Sequence, residues 1–334
     1  MARKGIATEE TSRGPTMRDV AKAAGVSSAT VSYVLNNLNK VTPEVDAHVR
    51  KVAREMGYSR NSAARALKTG RHNVIGCIVP TLASPVFPEI VQAVQRRAEE
   101  LGYATFVIDS GEGPKREAQA IQSLAKHGVD GAVALLASRP PLADLPQFPI
   151  VAIDQPVPGL DSVRADHRTG GRLMAEHVIA LGHKRVGLVS GELDLLSSRE
   201  RHEGFMDAAR GKLEICWDVE VSLIPTLPRE AVEAIRRRDV TMIACVNDVV
   251  AIGVLSALRD NAIAVPGEVS VFGFDDMVWS HWPLIDLTTI RQPLAELGRD
   301  AVELLVERLT DPERPQRDIV LPVSLVERGS TRQL

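Results

Sequence analysis

Cysteine is scarce and isolated. Cys77, Cys216 and Cys245 form no CxxC pair and are odd in number, which speaks against a disulfide framework or a thiolate zinc site and for a reducing compartment. The eight histidines are scattered, with no partner at metal-ligand spacing, so no metal is expected. No stretch reaches the length of about 18 apolar residues that a membrane span requires. No apolar run precedes Thr16 either, so neither a span nor a signal peptide is expected, and the location expected is cytoplasmic. Catalytic and phosphate-cradling patterns are missing as well: no GxGxxG after a strand, no GxxxxGK[ST], no GxSxG, no HExxH. No catalytic residues, no cofactor and no enzymatic activity are expected.

What is present is a chain of 334 residues, long enough for about two units. A 44% apolar share with 25% charged residues allows a sizeable core. The net charge of −3 hides an asymmetry. Residues 1–72 hold 13 Lys/Arg against 6 Asp/Glu, and the remainder holds 27 against 37. A basic head on an acidic body suits a nucleic-acid contact surface, although a solvated charged face would give the same balance.

Residues 1–15 are polar and aperiodic and read as a disordered tail. Thr16, with Asp19 three residues on, opens a first helix that Gly25 stops. Ser27 caps a second helix, Ser28–Asn36, and Thr42-Pro43 opens a third that Gly57 ends. From Asn73 the pattern changes to strand–helix alternation. Buried-strand runs occupy Val74–Val79, Thr105–Ile108, Gly131–Leu136, Ile150–Ile153, Ser162–Arg164, Val186–Val189, Thr241–Val246 and Val269–Phe274. Amphipathic helices separate them, among them Glu89–Leu101, Glu117–His127, Thr169–Leu181, Asp248–Asp260 and Leu294–Leu309. Such alternation predicts doubly wound parallel sheets, and periodicity leaves open one large sheet or two smaller lobes.

Met17–Asn36 follows helix-turn-helix grammar. Ala21 and Ala24 permit a close helix crossing, Gly25 supplies the turn, and Ser28, Ala29, Thr30, Ser32 and Tyr33 face outward. Small hydroxylated side chains suit phosphates and base edges, while a helical hairpin with no DNA role satisfies the same pattern. The segment Met17–Asn36 resembles the LacI family of bacterial transcription regulators. Val41-Thr-Pro-Glu-Val45, Met56-Gly-Tyr-Ser-Arg-Asn61 and Ala64-Arg-Ala-Leu-Lys-Thr-Gly70 continue the likeness. It implies a helix-turn-helix head over 16–60, with Ser27, Ser28, Ala29, Thr30, Ser32, Tyr33 and Asn36 at the DNA. A hinge helix and linker over 61–72 would add Asn61, Ala64, Leu67 and Lys68. Leu67 would wedge into the minor groove when two copies pair. Tyr33 departs from a frequent Arg, and a single phenol cannot make the bidentate guanine contact.

The body resembles the family's two-lobed, parallel-sheet fold of the periplasmic-binding-protein type. Ile75–Pro80, Val129–Gly131, Gly182–Gly187, Gly204-Phe205, Asn247-Asp248, Phe272–Asp276, Leu287–Pro293 and Leu325–Thr331 carry the likeness. It implies chain exchange between lobes near Arg164, Arg291 and Leu321. The lobes are expected at about 73–164 with 292–321 and at about 165–291 with 322–334, and an effector is expected between them. Strand ends point to Asp166, Asn247 and Asp275, the resemblance adds Arg201 and Phe87, and Ser84 lies in the same loop as Phe87. Trp279 offers a flat face for a sugar or base, or simply a core side chain. Asp275 and Asn247 could equally be caps, and Arg201 an ordinary ion-pair partner. The resemblance implies a sequence-specific regulator, expected to be a repressor, that binds a palindromic operator and responds to a small molecule. A sugar or sugar phosphate is expected, with a purine as the alternative. The chain ends soon after Ser330 without leucine heptads, so a homodimer is expected, through surfaces that include the Pro88–Leu101 helix. A periplasmic transport receptor would match the body but not the basic head.

Overall fold

A computed structural model describes residues 15–35, 38, 40–58, 71–111, 113–136 and 146–334. It divides into a unit ending at Arg71 and a unit from His72 to Leu334.

In the first unit, α1 (Met17–Ala24), α2 (Ser28–Leu35) and α3 (Pro43–Glu55) enclose Val20, Ala21, Ala24, Val31, Val34, Val49 and Ala53. The capping box forms: Thr16 N donates to Asp19 Oδ2 at 2.8 Å, and Asp19 N donates back to the Thr16 hydroxyl at 3.4 Å. Ser27 Oγ accepts from Thr30 N at 3.0 Å, so α2 is capped as well. Gly25 takes φ +65°, the left-handed turn that favours glycine between the helices. The third helix then caps the other two. His48 Nε2 donates to Ala24 O at 3.2 Å, and Arg50 Nη2 donates to Val34 O at 2.8 Å while pairing with Asp46. Orphan carbonyls at both helix ends are thereby satisfied from across the core.

The described residues of the second unit form two six-stranded sheets. The first runs in the order β11-β5-β4-β3-β1-β2: β1 (Val74–Val79), β2 (Ala104–Asp109), β3 (Gly131–Leu135), β4 (Ile150–Ile153), β5 (Asp161–Ala165) and β11 (Asp318–Leu321). The second runs β12-β10-β9-β8-β6-β7: β6 (Arg185–Gly191), β7 (Glu214–Val221), β8 (Met242–Cys245), β9 (Ser270–Asp275), β10 (Thr288–Arg291) and β12 (Ser324–Val326). Among the described residues every pairing is parallel except β10 with β12. Two sheets, rather than one, resolve the alternative that periodicity left open.

Helices α4 (Val86–Glu100) and α10 (Leu294–Thr310) cover one face of the first sheet and bury Ile90, Val94, Leu297, Val302 and Leu305 there. Helix α5 (Pro114–Lys126) closes its other face through Ile121 and Leu124. Around the second sheet pack α6 (His167–Ala180), α7 (Leu196–Ala209), α8 (Arg229–Arg236) and α9 (Asp248–Asp260). The chain changes sheet after Ala165, between Arg291 and Leu294, and between Leu321 and Ser324.

One crossing positions the site. A Cβ on Gly171 of α6 would lie 1.9 Å from Arg201 O, and one on Gly204 of α7 would lie 2.0 Å from Arg168 O. Only glycine allows this approach, which brings the start of α6 against the middle of α7.

Candidate effector cleft and DNA-reading helix

The positions of α2 expected to face DNA lie on its accessible side. Ser28 and Ala29 are exposed, Thr30, Ser32 and Tyr33 half-buried, and Val31 and Val34 buried beneath them. Ser27 is exposed, and its hydroxyl is shared between the Thr30 amide and the Thr30 hydroxyl at 2.9 Å. Lys40 Nζ stands 5.3 Å from the Tyr33 ring centre, within cation–π range. Asn36, Asn61, Ala64, Leu67 and Lys68 lie outside the described residues.

In the second unit Arg201 is bonded by one of the three strand-end side chains, Asp275, and by the backbone before another, at Val246. From α7 its Nη1 donates to Val246 O at 2.9 Å and to Asp275 Oδ1 at 3.3 Å. Its guanidinium carbon lies 3.8 Å above the Phe274 ring, and its Nε donates to His167 Nδ1 at 3.3 Å. The Asp275 side chain is only 3% exposed and that of Arg201 11%. Burial pushes the Asp275 carboxyl up to about 7, with the Arg201 charge and the Gln292 hydrogen bond opposing that rise. Asp275 and Asp276 take φ +126° and φ +61°, two successive non-glycine residues at positive φ. Strain of this kind persists where the surroundings over-determine it. Here Gln292 Nε2 donates to Asp275 Oδ1 at 2.7 Å, while Arg291 and Arg328 hold Asp276 at 2.6 and 2.5 Å. The two carboxylates are thus aimed at different partners.

Asn247 and Asp166 act as caps. Asn247 Oδ1 accepts from Val250 N at 2.8 Å and opens α9, and Asp166 Oδ1 accepts from Thr169 N at 3.0 Å and opens α6. The cap leaves the Asn247 amide group NH2 without a partner among the described residues. Its neighbour Asp248 is fully buried and gathers Met277 N, Ser280 Oγ and Thr289 Oγ1 at 2.6–2.9 Å. Burial pushes Asp248 up to about 6. A Cβ on Gly273 would strike its carboxylate at 2.2 Å, so β9 is pressed against this anchor. Asp248 therefore fixes the turn that follows Asp275.

Ser84 and Phe87 sit together, with Phe87 N donating to Ser84 O at 3.3 Å. Phe87 and Trp279 both pack partly buried against the core of the first sheet, so the duller reading of Trp279 has physical support. Beside Arg201 a space of about 30 Å3, bordered by Ser190, Ser198 and Val246, could take one water or hydroxyl. Asp275 and Gln292 also border a cavity of about 500 Å3 shared with Glu89, Asp276, His281 and Arg291. That volume lies in the range of small-molecule pockets. Among the described residues no group of three or more His, Cys, Asp or Glu side chains could hold a metal.

Residues 16–61 match the family described as "Bacterial regulatory proteins, lacI family", and residues 175–331 match the "Periplasmic binding protein-like domain". The HTH-type transcriptional repressor PurR of Haemophilus influenzae is 34% identical over 306 residues, covering 88% of this chain and 91% of the relative. The chain belongs to the LacI family. A lac repressor dimer, solved bound to operator and the anti-inducer ONPF, superimposes with a TM-score of 0.84. It is 27% identical and covers 96% of this chain and all of that one. A LacI-type regulator from Alkaliphilus metalliredigens, solved with D-xylulofuranose, reaches a TM-score of 0.72 at 25% identity, over 78% of this chain and 99% of that one. As a member, this LacI-family chain is a DNA-binding transcriptional repressor with an effector-binding body, and not an enzyme.

Three residues around Arg201 escaped the sequence reading: His167, Gln292 and Asp154, whose Oδ1 lies 3.1 Å from His167 Nε2. Asp154 and Gln292 follow directly on Ile150–Ile153 and on Thr288–Arg291, so the strand-end rule that selected Asn247 and Asp275 would have found Asp154. The short polar β10 concealed Gln292.

Proposed function

We propose that this repressor binds a palindromic operator as a homodimer and that a sugar, held between the two sheets, controls its grip. Cytoplasmic action follows from that role. The division proposed for its working form is a tail to residue 15, a head over 16–60, a hinge over 61–72 and a two-lobed body from 73. The observation that carries the effector reading is the buried Arg201–Asp275 pair. Arg201 Nη2, Asp275 Oδ2 and the Asn247 NH2 group retain hydrogen-bonding capacity at one end of the sheet. A guanidinium and a carboxylate side by side suit vicinal hydroxyls, which offer a donor and an acceptor at one spacing. The furanose in the Alkaliphilus regulator supports that class.

Calorimetry of the purified protein against sugars, sugar phosphates and nucleobases tests it. A sugar that binds one per chain is expected, and exclusive binding of a nucleobase would replace the sugar reading. Bending tests the proposed hinge. Leu67→Ala should lower specific operator affinity and DNA bending while leaving effector affinity unchanged. Equal bending by parent and variant would make Leu67 an ordinary linker residue.

A further inference from the structure

A chain of polar contacts, half-buried at Asp154 and buried beyond it, runs from the first sheet into the proposed effector site. It begins at Asp154, immediately after β4, whose backbone takes φ +64°. Asp154 Oδ1 lies 3.1 Å from His167 Nε2, and it also accepts from Ala165 N at 3.4 Å. His167, the first residue of α6, is fully buried. Its other nitrogen, Nδ1, accepts from Arg201 Nε, and Arg201 passes the contact on to Asp275 and so to Gln292. Each end of this chain sits where the polypeptide changes sheet: Asp154 pairs with a residue just beyond Ala165, and Gln292 follows Arg291.

The arrangement dictates the state of the ring. Arg201 can only donate, so His167 Nδ1 must be the bare nitrogen and the proton sits on Nε2, facing the Asp154 carboxylate. No other tautomer satisfies both neighbours. From the elements around it, the ring meets the Asp154 carboxylate after β4, the Arg201 guanidinium from α7 and the Phe274 ring of β9, whose centre is 6.1 Å away. Asp154 registers the same chain: burial works to raise its carboxyl, but His167 and the Arg201 charge outweigh that and hold it below the usual range. The Gly171–Gly204 crossing gives the two helices the separation at which this contact forms.

We infer that His167 is a positioning residue for the effector: it aims the Arg201 guanidinium through Nδ1 and ties that aim to the first sheet through Nε2 and Asp154. The inference rests on the proposed role of Arg201 in holding effector. Its consequence is that effector contact at Arg201 and the relative setting of the two sheets are coupled through one imidazole. A ligand that pulls on the guanidinium pulls on Asp154, which needs no contact of its own with the ligand.

Separable substitutions test the two halves. His167→Asn keeps an oxygen near the Nδ1 position but falls short of Asp154. His167→Gln reaches toward Asp154 but withdraws the acceptor from Arg201. His167→Phe keeps the ring and removes both. The full-length parent is first studied by nitrogen-15 NMR of its imidazoles, without ligand. A bare Nδ1 and a protonated Nε2 at His167 are expected, and a protonated Nδ1 overturns the inference. D-ribose and guanine then serve as the titrated probes. For whichever binds, Phe and Gln should weaken affinity about ten- to a hundred-fold, the scale for a lost hydrogen bond to a charged group, with Asn restoring most of it. Equal affinity in all three variants overturns the positioning role. If neither probe binds the parent, those two effector identities fall, and the ring spectrum alone decides on His167.

Discussion

The two units use charge in opposite ways. In the head, polar side chains serve nearby helix ends: Asp19 and Thr16 cap α1, Ser27 caps α2, and His48 and Arg50 close the carboxyl ends of α1 and α2. The outward side of α2 is left to small side chains on a rigid base, and a surplus of positive charge is left to meet phosphates. In the body, the decisive polar groups are largely buried and face one another across elements distant in sequence: the carboxylates of Asp154 and Asp275, the Arg201 guanidinium, the His167 imidazole and the Gln292 amide. An exposed basic unit answers to ionic strength, because bound counterions compete for its phosphate contacts. A buried titratable cluster answers to pH and to a ligand that completes its hydrogen bonds. The two responses should therefore be separable in one protein.

The strongest test of that separation is Arg201→Ala. It leaves Asp275 buried without its cation and should cost about 2–5 kcal/mol of effector binding, while operator affinity without effector changes little. Calorimetry and anisotropy on the same preparation read both quantities. A parallel loss of DNA binding would merge the two units functionally.

Next in size is Gly171→Ala. Its Cβ would meet the Arg201 carbonyl, so α6 and α7 must part, at a cost of about 1–3 kcal/mol for overpacking. Denaturant unfolding should show this loss in the body, accompanied by weaker effector binding because His167 and Arg201 separate. A variant as stable as the parent would show that the crossing has slack.

A subtler test uses pH. Asp275 is raised to about 7 in the folded protein, whereas an unfolded carboxyl titrates near its ordinary value of 3.8. Between those values the folded state binds more protons, so this group's contribution to stability falls as pH rises from about 4 to about 7. Asp248, raised to about 6, adds a loss of the same sign over a narrower window. Asp154, held low, works the other way: its contribution is present above the unfolded value and lost as pH falls through the folded one. Thermal melts of the parent and of Asp275→Asn across pH 5–8 should differ in slope, with the variant losing less stability toward pH 8. Identical slopes would mean that Asp275 is ionised throughout.

The units also differ in how much their sequences disclose. Head structure is local: Thr16 with Asp19, Gly25, and Thr42-Pro43 mark helix ends within a few residues of their effect, and all three helices were legible. Buried strands such as Val74–Val79 and Ile150–Ile153 were equally plain, since parallel strands covered on both faces become apolar runs. Strand β7 was missed because it lies at a sheet edge and alternates, its polar residues Asp218 and Glu220 facing out. Strands β10, β11 and β12 were missed because three or four residues, several of them polar, carry too little periodicity. In the site, Arg201 and Asp275 were named separately, but nothing in either stretch shows that they touch. That contact depends on Gly171 and Gly204, 33 residues apart, whose meaning appears only once the helices cross.

The central claim is that the head supplies DNA affinity and the body does not, and a salt titration tests it most directly. Fluorescence anisotropy would follow duplex DNA, selected from a random pool by the full chain, as salt is raised for the full chain and for a fragment spanning His72–Leu334. The account predicts tight binding by the full chain that falls about a thousand-fold or more between 50 and 200 mM salt if at least six phosphates are contacted, and no binding by the fragment. A flat salt response, or a fragment that binds the same DNA as well as the full chain, would contradict it.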